Sequence, residues 1–368
     1  MLTQTRRTET ETETETEHTP KPRLLAVGTA NPPTSYSQDD ILRSYGITDP
    51  TVVSVFRNSH IDKRHLTLPP VGPDGRPSIE TQGELLAKHK AKGIELAAEA
   101  LRKCLAQIGA DVDELGYLVC VTSTGLLTPG FSALLIKELG IPVTCSRLDV
   151  VGMGCNAGLN GLNPTAAWAS RNPGRLAVMV CVECCSAAYV FDGTMRTAVV
   201  NGLFGDGAAA VAVMAGADLA PDAPQVLKFT SRIVPEAVDA MRFDWDEDHG
   251  KYSFFLDRDV PYVVGAHAEE AIDNLLRDTG LRRTDIAHWI VHSGGKKVID
   301  AVKVNLGLTS HDVRHTTSVL RDYGNLSSGS FLFSFDRLRA EQAVRPGEYV
   351  VLMTMGPGST IENALVRW

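Results

Sequence analysis

The chain has 368 residues, of which 43% are hydrophobic and 22% are charged. Such a length and composition predict a folded protein with about two to three domains or repeats, and exclude a disordered or collagen-like chain. The 36 Lys and Arg residues and 44 Asp and Glu residues give a net charge of -8, which argues against a nucleic-acid partner. The longest apolar stretch, residues 208–216, is too short for a membrane span, and no apolar signal segment begins the chain. We therefore expect a cytoplasmic protein.

The first 22 residues differ in composition from the rest of the chain. Residues 8–17 alternate Thr and Glu. A polar, like-charged run of this kind cannot bury enough apolar surface to offset the entropy of ordering it. We predict a disordered tail over residues 1–22.

From Arg23 onward, short β-rich runs alternate with longer helical stretches. The pattern predicts a strand over Leu24–Val27, a helix over Ser37–Tyr45, a long helix over Glu80–Ile108 and a strand over Tyr117–Val121. This alternation is typical of an α/β fold with buried strands.

Two segments resemble each other at a constant offset of 171 residues. Glu114 and Asp285 each follow a glycine by five residues, and each precedes a hydrophobic strand. The same offset sets Cys155 opposite Leu326. We interpret the repeat as a duplication into two halves, residues 23–220 and 221–368, joined by the Ala- and Pro-rich residues 215–224. Two similar halves would place a functional site between them.

Cys155 is the first candidate nucleophile. It lies in the run Gly-Met-Gly-Cys-Asn-Ala-Gly, after a hydrophobic strand and before an Ala-rich helical stretch. Glycine permits a tight turn and the close approach of a ligand, and the start of a helix favours a thiolate over a thiol. A small buried cysteine is the alternative reading of this position.

His292 and Asn325 are candidate partners of Cys155. His292 ends the strand Trp289–Val291 and precedes Ser-Gly-Gly, whereas Asn325 lies in a turn rich in capping residues. A structural histidine and a capping asparagine are the alternative readings. Together, however, a thiol, an imidazole and an amide suit acyl transfer through a thioester and the stabilisation of an enolate. Such a set predicts the formation of carbon–carbon bonds.

The remaining residue clusters are weaker candidates for a functional site. Seven scattered Cys residues predict reduced thiols, and the Cys181–Cys185 cluster lacks the further ligands of a zinc site, so we expect a buried strand there. The loop Gly202–Gly207 lacks the ending of a phosphate loop and predicts a tight packing turn. Two basic clusters could meet the phosphates of a carrier, although solvated surface is the alternative: Lys296 with Lys297, and Arg57 with Lys63 and Arg64.

Several motifs, in this order along the chain, resemble those of the type III polyketide synthases, relatives of chalcone synthase in the thiolase superfamily. The resemblance extends from about Arg23 to Trp368. It is carried by residues 26–33 (AVGTANPP), 154–158 (GCNAG), 203–210 (LFGDGAAA), 289–295 (WIVHSGG), 323–328 (YGNLSS) and 356–362 (GPGSTIE).

The resemblance implies a thiolase-like α/β fold with two duplicated, five-layered αβαβα halves, in a homodimer. It implies CoA thioester substrates without a carrier protein, no cofactor and no metal. The catalytic residues would be Cys155, His292 and Asn325. The substrate pocket would include two gating phenylalanines and three further residues, namely Phe191, Phe254, Gly295, Gly356 and Pro357.

Within the family, the phrases at residues 127–132 and 189–196 resemble the bacterial 3,5-dihydroxyphenylacetyl-CoA synthases of glycopeptide-antibiotic pathways. That likeness implies malonyl-CoA as starter and extender, four units per product, aldol closure of the tetraketide and release of CoA. The aromatic acyl-CoA would be a precursor of dihydroxyphenylglycine. Helper enzymes of the enoyl-CoA hydratase type would follow in the pathway.

Some features depart from the family pattern. The basic CoA-binding stretch of the plant enzymes is mostly replaced here, so no phosphate contact is carried over. Pro164 lies nine residues after Cys155, where it should kink or end the central helix. Three alternatives stay open: a type III synthase with another starter and product, a β-ketoacyl synthase III-like priming enzyme, and a non-catalytic partner subunit.

Overall fold

The computed structural model describes residues 20–73, 75–216, 219 and 223–368. Most of the predicted tail, most of the predicted connector and the predicted boundary at residues 220–221 lie outside the described residues. The strands are β1 (Pro22–Ala30), β2 (Ser35–Ser37), β3 (Lys63–His65), β4 (Leu115–Thr122), β5 (Ser146–Val151), β6 (Leu176–Glu183), β7 (Gly207–Ala215), β8 (Gln225–Ile233), β9 (Met241–Asp246), β10 (Lys251–Leu256), β11 (Ile286–Val291), β12 (Tyr349–Gly356) and β13 (Thr360–Arg367). The helices are α1 (Gln38–Ser44), α2 (Pro50–Arg57), α3 (Gln82–Ala106), α4 (Phe131–Leu139), α5 (Ala157–Arg171), α6 (Met195–Leu203), α7 (Val260–Leu276), α8 (Lys296–Leu306), α9 (Arg314–Tyr323) and α10 (Ser330–Glu341).

The four elements predicted near the start of the chain are confirmed as β1, α1, α3 and β4. Both helices begin at a capping box, in which a hydroxyl side chain and an acidic side chain satisfy free backbone N–H groups. Ser37 pairs with Asp40 at the start of α1, and Thr81 pairs with Glu84 at the start of α3. These local signals fix where each helix starts.

Nine strands form one large sheet in the order β11-β12-β13-β8-β1-β7-β6-β4-β5. In one half, β4 is parallel to β6, β6 is antiparallel to β7, and β7 is antiparallel to β1. In the other half, β11, β12, β13 and β8 repeat these directions in the same order. Since β4 and β11 also begin 171 residues apart, the topology confirms the duplication expected from the sequence.

The two halves of the sheet meet where Arg23 of β1 pairs with Gln225 of β8, and the backbone N–H of Leu24 donates to the carbonyl of Pro224 beside it. Three apolar cores separate the layers. One core lies between α3 and the strands β1, β4, β6 and β7. The second surrounds α5 and α10 and includes strands of both halves, and the third packs α7 and α8 against β11, β12 and β13. Helices therefore alternate with sheet in five layers.

Of the two effects expected of Pro164, a kink or an end of the central helix, the structure contradicts the end. Helix α5 continues through it to Arg171. Buried Leu159 and Leu162 hold this helix in the core between the two halves of the sheet. Packing of that face outweighs the loss of one backbone donor at the proline. None of the helices in the described ranges combines the length and the apolar character that a membrane span requires.

Candidate active site

Cys155 lies in a tight turn between β5 and α5. The turn depends on glycine, because Gly154 has a φ of +71° and a Cβ there would lie 2.2 Å from Cδ of Pro357. Gly158, one turn into α5, allows the helix to approach the 325–329 loop, since a Cβ on it would lie 2.3 Å from the carbonyl oxygen of Ser328. The glycines around the cysteine therefore permit close contact between the two halves.

Asn325 lies on the opposite loop and faces the thiol. Its Nδ2 is 4.0 Å from Sγ of Cys155, and its Oδ1 accepts hydrogen bonds from the backbone N–H of Ser327 at 2.8 Å and from Oγ of Ser330 at 3.3 Å. The loop is anchored by backbone bonds from Asn325 N–H to the Leu203 carbonyl and from Gly205 N–H to the Asn325 carbonyl. The amide is thus held with its donor end toward Cys155.

Ser327 is a second polar neighbour of the thiol, and the sequence reasoning missed it. Its Oγ lies 3.6 Å from Sγ of Cys155. Burial raises the pKa of the Cys155 thiol to about 12, although the side chains of Ser327 and Asn325 act to lower it. In this structure the thiol is therefore protonated at neutral pH, whereas the sequence predicted a resting thiolate. A base must take its proton when it reacts.

His292 lies at the end of β11, as predicted. Its backbone N–H donates to the carbonyl of Met353 in the parallel strand β12, and its buried Nδ1 has no hydrogen-bond partner in the described structure. Strand β12 ends at Gly356, where an added Cβ would lie 2.9 Å from the backbone nitrogen of Cys155. Burial lowers the pKa of the His292 imidazole to about 3, so the ring is neutral at neutral pH.

A cavity of about 370 Å³ opens onto Cys155. Two of the predicted pocket residues, Phe254 and Pro357, line it. Phe254 packs edge-on against Phe204 with ring centroids 5.9 Å apart, and Phe204 also lines the cavity. The sequence reasoning quoted Phe204 within LFGDG but assigned it no role.

The other predicted pocket residues lie elsewhere. Phe191 stacks on Tyr45 with ring centroids 3.8 Å apart and lines a separate cavity of about 400 Å³. Gly295 lies near Leu203, whose Cδ1 would be 3.5 Å from an added Cβ. Gly356 contacts the backbone of the Cys155 turn, as described above. Phe204, rather than Phe191, therefore forms the aromatic pair with Phe254 in the cavity.

Glu183, at the end of β6, is hydrogen-bonded to two segments near the site. Its Oε2 accepts from the backbone N–H of Ser123 at 3.0 Å, and its Oε1 accepts from Oγ of Ser328. Burial raises the pKa of this carboxyl group to about 7, although these hydrogen bonds act to lower it. The sequence placed Glu183 in a buried strand, and nothing in its spacing indicated these partners.

The sequence suggested that Arg64, in a basic cluster, could meet a phosphate, and the structure contradicts this suggestion. Arg64 is fully buried and cannot meet a phosphate in solvent. Its Nη1 donates to the carbonyls of Asn201 and Phe204, both at 2.7 Å, and its Nη2 donates to Oε1 of Gln38. Arg64 therefore holds the segment that carries Phe204 and pairs with the Asn325 loop.

The cysteine cluster has Cys181 in β6, as predicted for a buried strand, whereas Cys184 and Cys185 follow the end of that strand. All seven cysteines are buried and unpaired, as the sequence predicted for reduced thiols. Within the part of the chain that the structure describes, no group of His, Cys, Asp and Glu side chains could hold a metal ion. In the loop Gly202–Gly207, a Cβ on Gly205 would lie 2.3 Å from the carbonyl oxygen of Tyr323, which fits the predicted packing turn.

Comparison with known proteins agrees with this geometry. Residues 9–218 match the N-terminal domain of chalcone and stilbene synthases, and residues 226–368 match the C-terminal domain. The 3,5-dihydroxyphenylacetyl-CoA synthase of Streptomyces toyocaensis is 65% identical over 353 residues, which cover 95% of this chain and 90% of that protein. The enzyme of the same name from Amycolatopsis orientalis is 62% identical over 346 residues, covering 94% of this chain and 93% of that protein.

A solved structure shares the fold of this chain. The crystal structure of PKS-I from the brown alga Ectocarpus siliculosus superposes with a TM-score of 0.88 at 25% sequence identity, covering 96% of this chain and all of that one. The expected thiolase-like fold is thereby confirmed. With both domain matches, the high identity to bacterial enzymes and the shared fold, the chain belongs to the chalcone and stilbene synthase family of type III polyketide synthases.

Proposed function

We propose that this chain makes 3,5-dihydroxyphenylacetyl-CoA from malonyl-CoA. The observation that carries the proposal is the 65% identity, over nearly the whole chain, to the synthase of that name from Streptomyces toyocaensis. The contact between Asn325 and Cys155, which lines the cavity, supports the mechanism that follows.

The first step loads the nucleophile. The imidazole of His292 accepts the proton of the Cys155 thiol while the sulfur attacks the thioester carbonyl of malonyl-CoA, so no separate pair of thiolate and imidazolium has to form first. The bond between that carbonyl and the CoA sulfur breaks, and CoA takes up a proton and leaves as the thiol. The acyl group is then a thioester of Cys155.

The second step forms a carbon–carbon bond. Asn325 Nδ2 and the His292 ring donate hydrogen bonds to the thioester oxygen of a second malonyl-CoA. Carbon dioxide leaves, and the electron pair of the broken bond forms an enolate that attacks the acyl carbonyl on Cys155. The sulfur of Cys155 is expelled and is free to accept the extended chain.

Repetition of these steps accounts for the proposed product. The malonyl starter on Cys155 loses carbon dioxide and takes up a proton to become an acetyl group, and each of three condensations releases one further carbon dioxide. Four malonyl-CoA molecules thereby lose four carbon dioxide molecules and three CoA molecules, which leaves an eight-carbon tetraketide on the fourth CoA. Aldol closure between the terminal methyl carbon and the third carbon, with loss of one water, gives the dihydroxylated ring. The product would be a precursor of dihydroxyphenylglycine, and enzymes of the enoyl-CoA hydratase type would act with it.

A homodimer belongs to the same proposal. Strand β5 is an edge strand of the large sheet, and the apolar side chains of Val151 and Met153, next to Cys155, are exposed in the single chain. An exposed strand edge with apolar neighbours favours association with a second copy. Analytical ultracentrifugation should therefore give a species of twice the chain mass.

The test of function is incubation of the purified chain with malonyl-CoA as the sole substrate, followed by mass spectrometry. We expect an eight-carbon dihydroxyphenylacetyl product, free or as the CoA ester, from the wild type and none from Cys155→Ala. Turnover that begins only after another acyl-CoA is added would refute the product and keep the Cys155 mechanism. Turnover only with an acyl carrier protein would refute the family's carrier-free chemistry for this chain.

A further inference from the structure

Arg242 is the one charged side chain among the described residues that line the Cys155 cavity. It lies in β9, one strand of the hairpin that also supplies Phe243 and Phe254 to the cavity wall. The other lining side chains are neutral. The ion pair of Arg242 with Asp244 lies on the same strand, and no carboxylate among the described residues lines the Cys155 cavity, so Arg242 offers a bound anion the one positive group of the lining.

The guanidinium of Arg242 is held in a defined orientation. Its Nε donates to Oδ1 of Asp244 at 2.9 Å, its Nη1 donates to the carbonyl of Asp239 at 2.8 Å, and it lies 4.2 Å from the ring centre of Phe255. Its Nη2 has no hydrogen-bond partner among the described residues. Because its side chain is 41% exposed, this remaining donor can be reached by a bound molecule.

The surroundings of Arg242 are otherwise acidic. The shallow cavity next to it, also lined by Arg242, carries four carboxylate side chains: Glu236, Asp239, Asp257 and Asp259. Without Arg242, the charged side chains that line this neighbouring cavity would all be negative. They would disfavour an anion bound nearby, and the positive charge of Arg242 acts against that effect.

We propose that Arg242 binds an anionic oxygen group of the acyl-CoA substrate at the rim of the Cys155 cavity. The inference rests on the proposed function. Either the malonyl carboxylate or a CoA phosphate could supply the group, since both accept charge-assisted hydrogen bonds from a guanidinium. Arg242 acts by holding the substrate and makes no bond to the reacting carbon.

This role predicts an effect on substrate binding rather than on the chemical steps. A CoA phosphate keeps its charge throughout the reaction, so loss of a cation beside it should raise KM and leave kcat nearly unchanged. The malonyl carboxylate gives up its charge as carbon dioxide leaves, so loss of a cation beside it should raise KM without lowering kcat. From the usual contribution of a charge-assisted hydrogen bond at a partly exposed site, Arg242→Gln should raise KM for malonyl-CoA about tenfold. Arg242→Lys should raise KM less, since lysine keeps the positive charge and loses only the paired N–H donors of the guanidinium.

The experiment compares these variants with the wild type and with Arg282→Gln. Arg282 is an exposed arginine that also pairs with an aspartate, Asp285, and it does not line the cavity. Three probes separate the two sources of the anion. Malonyl-CoA carries both groups, malonyl-pantetheine carries only the carboxylate, and free CoA, measured as a competitive inhibitor, carries only the phosphates.

Each outcome decides the proposal. A rise in KM for malonyl-CoA and malonyl-pantetheine, with the CoA inhibition constant unchanged, assigns Arg242 to the carboxylate. A rise in the malonyl-CoA KM and the CoA constant, with malonyl-pantetheine unchanged, assigns it to a phosphate. No change with any probe, or an equal change with all three, overturns the proposal. A wild type that releases no CoA from malonyl-CoA would instead refute the proposed function.

Discussion

The amide of Asn325 has two ends with separable roles. Its Oδ1 accepts two hydrogen bonds within its own loop, from Ser327 N–H and Ser330 Oγ, and its Nδ2 lies 4.0 Å from Sγ of Cys155. Asn325→Asp keeps an oxygen at the first position and replaces the donor by an oxygen at the second. Asn325→Ala removes both ends.

The two variants should differ in stability and agree in activity. Loss of one donor to a developing oxyanion typically lowers kcat about 100- to 1000-fold, or about 3–4 kcal/mol. Asn325→Ala also leaves the buried N–H of Ser327 without its acceptor, which costs about 1–3 kcal/mol of folding free energy. Asn325→Asp preserves that acceptor and should unfold closer to the wild-type temperature.

The assay follows CoA released from malonyl-CoA by chromatography, with thermal unfolding measured on the same preparations. Asn305→Asp is a matched control, because Asn305 lies exposed on α8 and its amide donates to the Ala301 carbonyl at 2.8 Å. We expect the control to keep wild-type activity. A folded Asn325→Asp variant within tenfold of the wild-type kcat would refute the role of the amide as an oxyanion donor.

Three further changes test other parts of the site. Burial raises the pKa of Glu183 from 4.5 to about 7, so its contribution to stability is present below pH 4.5 and is lost as the pH rises through 7. Glu183→Gln should lack this fall of about 3 kcal/mol when unfolding is measured from pH 4.5 to 8. Gly154→Ala should lower stability by more than the roughly 1–2 kcal/mol of left-handed strain, because the new Cβ would meet Pro357. Phe254→Ala should change the distribution of polyketide lengths, since its ring forms part of the cavity wall, and mass spectrometry of the products checks this.

Two variants serve as controls for these changes. Gly152→Ala carries the same backbone strain at a φ of +81° with no atom within 4 Å of the new Cβ, so equal losses at Gly152 and Gly154 would contradict the contact with Pro357. Phe191→Ala lies outside the Cys155 cavity, and an altered product pattern there would contradict the assigned wall. Parallel pH dependences of unfolding for wild type and Glu183→Gln would contradict the raised pKa.

The pairing of Cys155 with the Asn325 loop could be predicted from the sequence. The offset of 171 residues set Cys155 opposite Leu326, next to Asn325, and the structure brings the two side chains to 4.0 Å. Equivalent turns of two similar halves meet at the helices that lie between the halves. A constant offset in the sequence therefore predicts which residues come together. Gly154 and Gly158 also indicated this contact, because a side chain at either position would occupy the space that the contact needs.

Other parts of the site depend on contacts that no local pattern encodes. Phe191 and Phe204 both follow β6 within a short stretch, and only the packing of Tyr189 and Arg64 decides that Phe204 enters the cavity and Phe191 stacks on Tyr45. The sequence places Arg64 beside Lys63 as a basic surface residue, yet its Nη1 donates to carbonyls more than a hundred residues away. The burial of Cys155, which raises the pKa of its thiol, likewise depends on the packed structure and on no local pattern.

The central claim is that Cys155 carries the growing chain, and the most direct measurement is mass spectrometry of the acylated enzyme. Rapid quenching with malonyl-CoA, followed by trypsin digestion, yields the peptide of residues 148–171, in which Cys155 is the one cysteine. We predict acyl additions on this peptide, in steps of one ketide unit, and none on the peptide of residues 176–196 that holds Cys181, Cys184 and Cys185. An unmodified 148–171 peptide during turnover, or acylation of another cysteine, would contradict the account.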